Sequence, residues 1–431
     1  MQRFLRILPL LLSLLPLTAW AQESPKVEHP AIGAKMDSPK MTVELIGRRQ
    51  NYNPGGKDHD PDVLSPKSVH IHPSGEKYYV NSLEGGKTVV YSMDGEKLAT
   101  VSHRIGKEHE ALWAPSSGLF HYNHTYRNPD TFTGKPVESA FSHNGRYLWI
   151  PYYRRSFDIN AQEPSAMAVI DTRADTLVRL FETGPLPKMI AASPDGTQMA
   201  VTHWGDNTVG IVDISSDEPR DWHFTKLYIV DYQLKLNFST TVKVDRDNNS
   251  GYCLRGTVFT PDGRYLLVGC MSGGGGIAVI DLESGLYRGR LMGMMPNLRH
   301  LVISGGFLYA SINRTGYVQR IPLKAVCEAI EKLDGKTVTV DGWASCKVPA
   351  GARTIALSPD GKYIYAACHG GNCLAVVSVD SFRLLGTVGA DSFPVGLDVS
   401  KDGRYVFTTS QNIVGCYAGN AVDIFKVTLK Q

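Results

Sequence analysis

The sequence predicts an all-β protein, a seven-bladed β-propeller with four antiparallel strands in each blade. A phrase recurs at 192–215 (ASPDGTQMAVTHWGDNTVGIVDIS), 259–282 and 357–380. Each copy turns at Ser/Thr-Pro-Asp-Gly between two stretches whose apolar residues alternate with a period of two. A Gly/Asn-rich turn and a third such stretch follow, and a fourth leads into the next copy. Four short strands in a repeated unit of roughly 40 residues are typical of propeller blades.

Seven units can be located by the turn between their first and second strands. The last unit has no fourth strand, whereas Met41–Gly47 has the pattern of a strand that belongs to no unit. We expect this N-terminal strand to pair with the last blade, which closes the ring and removes an exposed edge. The propeller then occupies 41–431 as one domain. The seven turns are Pro73-Ser74-Gly75, His143-Asn144-Gly145, Pro194-Asp195-Gly196, Pro261-Asp262-Gly263, Gly305-Gly306, Pro359-Asp360-Gly361 and Lys401-Asp402-Gly403.

The first 40 residues do not fit the repeat. Arg3 and Arg6 precede the apolar run 7–17 and the small-x-small site 19–21, which predicts a signal peptide over 1–21. We therefore expect export to the periplasm or the exterior of a bacterial cell. Residues 22–40 are rich in Pro, Lys and Glu and predict a flexible leader. Elsewhere the sequence has no apolar stretch long enough for a membrane helix.

An exported chain with seven cysteines can form disulfide bonds. Spacing suggests three pairs and leaves Cys416 over. The alternative is that these are buried thiols. The suggested pairs are Cys253–Cys270, Cys327–Cys346 and Cys368–Cys373.

The repeat also carries a resemblance. Residues 169–213, VIDTRADTLVRLFETGPLPKMIAASPDGTQMAVTHWGDNTVGIVD, resemble the YVTN-type, YncE-like bacterial propellers, and the likeness covers nearly all of the mature chain. At the level of the repeat the chain is also similar to lactonase-type propellers. The first resemblance implies a binding protein and the second implies an enzyme, while the repeat itself identifies only the fold.

A ring of basic residues is the strongest indication of function. Five residues before each turn serine or its equivalent, five of the seven units carry Lys or Arg, and the other two carry Val137 and Val395. Strand interiors seldom contain such side chains, and their mutual repulsion would cost stability unless an anion binds. The alternative is that each base pairs with an acid or a carbonyl, with Glu138 neutralising part of the ring. The predicted anion ligands are Lys67, Lys188, Arg255, Arg299 and Arg353.

A second ring is expected above the first, eight residues after each turn glycine. It contains aromatic, imidazole and amide side chains, as small-molecule sites often do. The alternative is that the large aromatics pack beneath loops. Long insertions at 104–135 and 153–164 are expected to cover this face. The residues predicted to contact a ligand are Tyr152, Tyr153, His203, Trp204 and His369.

Two functions follow from these patterns. The first is an exported scaffold, expected to be monomeric, that binds an anionic small molecule or an envelope or protein partner without a cofactor. The second is a lactonase- or cycloisomerase-like enzyme acting on a carboxylate-bearing substrate, with His300 and Glu138 as acid/base candidates beside Arg299. Adjacent strand residues point to opposite faces, so His300 and Arg299 share a site only if the strand begins after them.

Other chemistries receive little support. His121 and His124 lack the spacing and partners of a zinc site, and 245–251 is similar to a calcium loop but lacks its last acidic ligand. The chain has no Cys-x-x-Cys-His haem motif. A net charge of +3 gives no support for nucleic-acid binding. We therefore expect no metal, no cofactor and no nucleic acid.

Overall fold

The computed structural model describes residues 28–120, 128–159, 161, 163–235, 250–412 and 419–430. Within them, seven sheets follow one another around a ring, each with a core of four antiparallel strands, which confirms the predicted propeller. The predicted signal peptide, His121, His124, residues 245–249 and Cys416 lie outside the described residues. In the part of the chain that is described, no helix is long and apolar enough to span a bilayer.

Each blade runs outward from the axis in chain order, and the last blade takes its outer strand from the N-terminus. The innermost strands are Pro66–Ile71, Ala140–Ser142, Pro187–Ala192, Leu254–Phe259, Leu298–Ser304, Ala352–Leu357 and Pro394–Val399. The second strands are Lys77–Ser82, Tyr147–Arg155, Gln198–His203, Tyr265–Cys270, Phe307–Ile312, Tyr363–Cys368 and Tyr405–Ser410. The third strands are Lys87–Ser92, Ser165–Asp171, Thr208–Asp213, Ile277–Asp281, Tyr317–Pro322, Cys373–Ser378 and Ala421–Leu429. The outer strands are Lys97–Ser102, Thr176–Thr183, His223–Ile229, Leu286–Met292, Ala344–Lys347, Arg383–Gly389 and Met41–Gln50.

Several short elements decorate the blades. Blade 2 gains the strands Arg104–Ile105 and Phe132–Pro136, and blade 4 gains Thr337–Thr339. The α-helix Leu323–Ile330 lies between the third and outer strands of blade 5. The 3-10 helices are Lys107–Leu112, His143–Gly145 and Pro219–Asp221.

The recurring turn is a compact hydrogen-bonded unit. The Ser193 hydroxyl donates to Asp195 Oδ1 at 2.5 Å, and the same oxygen accepts the Thr197 N–H at 3.0 Å. Gly196 completes the turn with φ of 73°, a conformation that glycine adopts without strain. Ser358 and Asp360 make the same side-chain contact at 2.5 Å. The repeated phrase therefore supplies the residues that this turn needs, and the turn determines where each innermost strand ends.

The alternating strands bury apolar side chains between neighbouring blades. Val209 of blade 3, for example, packs in one cluster with Leu266, Val268 and Ile280 of blade 4, and all four side chains have no exposed surface. Such burial removes apolar surface from water on both faces of every blade. The sheets are therefore held in fixed register around the axis, which positions the side chains that point into the centre.

The ring closes as the sequence predicts. Met41–Gln50 pairs antiparallel with Ala421–Leu429, from Met41 opposite Leu429 to Gln50 opposite Ala421. Lys35–Asp37 then adds a short edge strand to Met41–Gln50. Within the predicted leader over 22–40, the residues from 28 onward are described, and Lys35–Asp37 belongs to the sheet.

A buried ionic cluster joins the two ends of the chain. Arg48, on the N-terminal strand, donates from Nε to Asp423 Oδ1 at 2.6 Å and lies 3.5 Å from Asp391 Oδ2. Both carboxylates have no exposed surface. Tyr52 and His29 also contact Asp391 Oδ2, at 3.0 and 2.9 Å. One guanidinium thus compensates two carboxylates at the point of closure.

The six described cysteines are free, so none of the three suggested disulfide pairs is bonded in this structure. Cys270 lies opposite Leu254, not opposite Cys253, so the spacing argument places that pair one residue out of register. Cys327 lies in the helix Leu323–Ile330, whereas Cys346 lies on the outer strand of blade 5. Cys368 and Cys373 do face each other across a hairpin, as thiols.

Candidate functional site

The predicted ring positions coincide with irregularities in the innermost strands. In blades 1, 3, 5 and 7 the pairing shifts by one residue at Lys67, Lys188, Arg299 and Val395. Blades 4 and 6 shift between Leu254 and Thr257 and between Ala352 and Ile355, which bracket the other two arginines. A β-bulge leaves its extra residue out of the ladder and redirects the side chain. The bulge therefore explains how a buried strand can carry a basic side chain.

Neighbouring blades hold the ring backbone in place. The Ser68 hydroxyl donates to the Val137 carbonyl at 2.6 Å, so blade 1 fixes blade 2. In the same way Ser311 donates to the Arg353 carbonyl at 2.5 Å, and Thr354 to the Val395 carbonyl at 2.7 Å. These bonds, one buried and two partly buried, supply the ring-position carbonyls with a donor from the neighbouring blade.

The five predicted basic side chains line one cavity of about 310 Å³, which we call the throat. It lies on the axis, at the end where the innermost strands begin. Tyr153 and Trp204 of the predicted second ring also line it. The throat is lined by Lys67, Leu83, Val137, Tyr153, Lys188, Trp204, Arg255, Met271, Arg299, Arg353 and Gln411.

The aromatic side chains of the throat support its cations. Lys188 Nζ lies 3.5 Å from the centre of the Tyr153 ring and 4.8 Å from that of Trp204. Arg255 Cζ lies 4.4 Å from the centre of the Trp204 ring. The negative face of an aromatic ring attracts a cation at such distances. We infer that these two rings hold Lys188 and Arg255 in place, with their charged groups facing the cavity.

The cations also influence one another. Burial lowers the pKa of Lys67 to about 8, against the effect of Glu138, and Arg299, Arg255 and Arg353 lower it further. Burial lowers the pKa of His369 to about 2, and Arg353, Arg299 and Lys67 add to the shift. Both shifts disfavour a further positive charge. The basic groups of the throat are therefore close enough to influence one another's pKa.

Glu138 joins the throat to a second cavity. Its Oε1 lies 3.0 Å from Lys67 Nζ. Burial raises the pKa of Glu138, but Lys67, His70 and His300 together outweigh that effect and the net shift is downward, so the pair is ionic. This second cavity of about 280 Å³, the inner chamber, is lined by Ser68, Val69, His70, Glu138, Ser139, Met189, Ile190, Thr257, His300, Val302, Thr354, Ile355, Ala356, Leu357, Leu397 and Asp398.

His300 lies in the inner chamber, whereas Arg299 lies in the throat. The strand Leu298–Ser304 includes both residues, so they point to opposite sides. Burial lowers the pKa of His300 to about 4, and its Nδ1 accepts the Ile355 N–H at 3.4 Å. The imidazole is therefore neutral near pH 7. The enzyme hypothesis requires Arg299 and His300 to share one site. The structure corrects this expectation, because the two side chains line different cavities.

Two other predicted ligand residues lie outside the throat. Tyr152 is fully buried, with its hydroxyl 2.9 Å from His103 Nδ1. His203 is fully buried as well, with Nδ1 2.8 Å from Thr208 Oγ1. Each precedes a throat residue on its strand or at its end, so alternation turns it into the blade core. His369 packs against Phe393, with ring centres 5.3 Å apart, within reach of the throat charges.

Sequence reasoning missed His70 and Asp398, which share the inner chamber with Glu138 and His300. Both stand three residues after a ring position, so a second count along the innermost strands would have found them. No group of three or more His, Cys, Asp and Glu side chains in the described ranges is arranged to hold a metal ion.

A larger groove of about 700 Å³ lies on the opposite face, among the turns of blades 1 to 3. Its lining contains the bases Arg146 and Arg173 and the acids Asp195 and Asp217, so the charges offset each other. Its lining comes from turn residues such as Asp195, whose carboxylate is used within the turn. The throat, in contrast, concentrates one sign of charge, and we consider it the better candidate.

The Lys67–Glu138 pair makes the throat testable by a single substitution. We expect Glu138→Gln to lower the free energy of unfolding by about 1–2 kcal/mol, because Lys67 loses its counter-charge but can shed its proton. We expect sulfate to raise the melting temperature of Glu138→Gln more than that of the wild type, since the anion then supplies the missing charge. Glu84→Gln, which breaks the more exposed 2.6 Å pair with Lys135, is the matched control and should change neither quantity. An unchanged sulfate response in Glu138→Gln would contradict the prediction.

Comparison with known proteins supports the fold and leaves the family open. No family model matches the chain. Antigen Lp49 of Leptospira interrogans is 26% identical over 294 residues, which cover 57% of this chain and 60% of that protein's length. The hydrazine synthase of Kuenenia stuttgartiensis superposes with a TM-score of 0.58 at 15% identity, covering 88% of this chain and all (100%) of that one. The Cps50 (Swd1) propeller domain of Myceliophteria thermophila gives 0.56 at 12% identity, covering 85% and 97%. The YncE-like family stays a prediction.

Proposed function

We propose that this protein is an exported binding scaffold whose throat binds a small anion. The observation that supports the proposal most strongly is the convergence of five basic side chains on one cavity of about 310 Å³. Their repulsion is evident at Lys67, whose pKa is lowered to about 8 by burial and by three arginines. Arginine side chains form strong paired hydrogen bonds to carboxylate and phosphate. A bound anion would relieve the repulsion and stabilise the folded state.

The size of the cavity supports a compact ligand. A volume of about 310 Å³ is at the small end of ligand pockets. The faces of Tyr153 and Trp204 are occupied by Lys188 and Arg255, so the rings are poorly placed to stack on an aromatic ligand. We favour phosphate or a short di- or tricarboxylate.

Export is part of the proposal. It rests on the signal-peptide pattern of residues 1–21. The distant Leptospira relative is named an antigen, which agrees with an exposed location.

A thermal-shift panel tests the function. Sulfate, phosphate, malonate, citrate and acetate would be compared at equal ionic strength, so that general screening is constant. We expect stabilisation that rises with ligand charge, with citrate and phosphate well above acetate. Equal, small shifts for all five anions would reject a specific anion site. The lactonase-like alternative is not proposed, because Arg299 and His300 line different cavities.

A further inference from the structure

Lys67 differs from the other basic groups of the throat. It is a primary amine that is 5% exposed, and its Nζ lies 3.0 Å from the Glu138 carboxylate. It also experiences the charges of Arg255, Arg299 and Arg353. A desolvated lysine beside other cations and a base is the environment that makes an amine nucleophilic.

The second lysine of the throat provides an internal contrast. Lys188 Nζ lies over the ring centres of Tyr153 and Trp204, at 3.5 and 4.8 Å. Cation–π contact stabilises the ammonium form, which is not nucleophilic. Lys67 is stabilised instead by a single carboxylate that can accept its proton. The two amines line the same cavity and differ in their surroundings.

We infer that Lys67 forms a reversible imine with a 2-oxo carboxylic acid whose carboxylate is bound by the throat arginines. This inference rests on the proposed anion site. The Lys67 amine adds to the ketone carbon, and a carbon–nitrogen double bond replaces the carbon–oxygen bond. Both amine hydrogens leave with the ketone oxygen as one water molecule, so the step needs no oxidant or reductant.

Glu138 is placed to move the proton in this step. The addition creates a positively charged nitrogen, and the carboxylate 3.0 Å away can take its proton and return it to the departing oxygen. On its other side Glu138 faces the inner chamber with His70 and His300. Burial and the three arginines lower the pKa of Lys67 to about 8, so a useful fraction of neutral amine exists near neutral pH.

The test is reductive trapping at pH 8. The full-length mature protein would be incubated with 2-oxoglutarate or pyruvate and cyanoborohydride, and the modified lysine located by peptide mass mapping. We expect one dominant adduct on Lys67 that is at least ten-fold more abundant than that on Lys324, a lysine whose side chain is 88% exposed. Lys67→Arg should abolish that adduct, whereas Lys336→Arg, at a lysine whose side chain is 83% exposed, should leave it. Excess citrate should suppress it in the wild type.

Binding without trapping separates this inference from the proposed function. Thermal shifts with 2-oxoglutarate would be compared with those of 2-hydroxyglutarate, which has the same charge but no ketone. If both stabilise the protein equally and no Lys67 adduct forms, the imine is rejected while the anion site stands. If neither they nor citrate shift the melting temperature, the anion site itself fails. If citrate still raises the melting temperature of Lys67→Arg, the loss of trapping in this variant does not result from misfolding.

Discussion

Replacing Arg255, Arg299 and Arg353 together with alanine is expected to weaken anion binding by at least 1,000-fold. Each charge-assisted hydrogen bond to an anion contributes about 1.5–3 kcal/mol, and three side chains that line one cavity would be removed. Isothermal titration with citrate is the measurement. The loss should occur without a loss of fold, because the substitutions also remove mutual repulsion.

The unliganded stability of the triple variant distinguishes a binding site from a structural ring. We expect its melting temperature, without anions, to equal or exceed that of the wild type. Arg220, Lys324 and Lys336 are 79%, 88% and 83% exposed and form the charge-matched control triple, whose citrate binding should be unchanged. A triple throat variant that binds citrate normally would show that the arginines only rim a solvated pore.

Replacing Arg48 with methionine is expected to lower the free energy of unfolding by about 3–5 kcal/mol, because two buried carboxylates then lose their shared counter-charge. Asp391 and Asp423 have no exposed surface, and Arg48 is their contact from the closing strand. Urea unfolding measures the loss. Arg49→Met is the matched control, since its neighbouring guanidinium donates to the carbonyls of Gly95 and Arg48 at 2.6–3.1 Å. That change should cost about 1 kcal/mol.

The pH dependence of the same cluster has a definite sign. Burial raises the pKa of Asp423 to about 6, with Asp391 adding to the shift and Arg48 opposing it. The folded state therefore binds a proton more tightly than the unfolded chain, whose aspartates titrate near 3.9. The contribution of Asp423 to stability is fully present below about pH 4 and is lost as the pH rises through 6. Acidification to pH 4.5 should thus restore part of the loss in Arg48→Met, and a constant deficit between pH 4.5 and 7.5 would contradict this account.

The basic ring could be predicted because it depends on local spacing. The turn fixes the end of each innermost strand, and the bulge stands at a constant distance before it, so counting back five residues finds Lys67 and Arg299 alike. Tyr152 and His203 were predicted because each lies just before a second-ring position, and both are buried in the blades, because adjacent strand residues point to opposite faces.

The spacing of residues along the sequence could not predict contacts between residues that are far apart in the chain. The Arg48 cluster joins positions more than 300 residues apart, with a separation of 375 between Arg48 and Asp423. The Lys67–Glu138 pair joins two blades at a separation of 71 residues. The Cys253–Cys270 pair was misplaced for a different reason, since Leu254, and not Cys253, lies opposite Cys270 across the hairpin.

The bulges have a consequence for how such a protein can change. Because the residue at each bulge stands outside the ladder, its identity is not constrained by strand pairing, and Val395 occupies the same structural position in blade 7 as Lys67 does in blade 1. Substitutions at these positions therefore alter what faces the axis while the hydrogen-bonded sheets stay intact. A lineage could thus acquire a new ligand preference one side chain at a time while the strand pairing is kept.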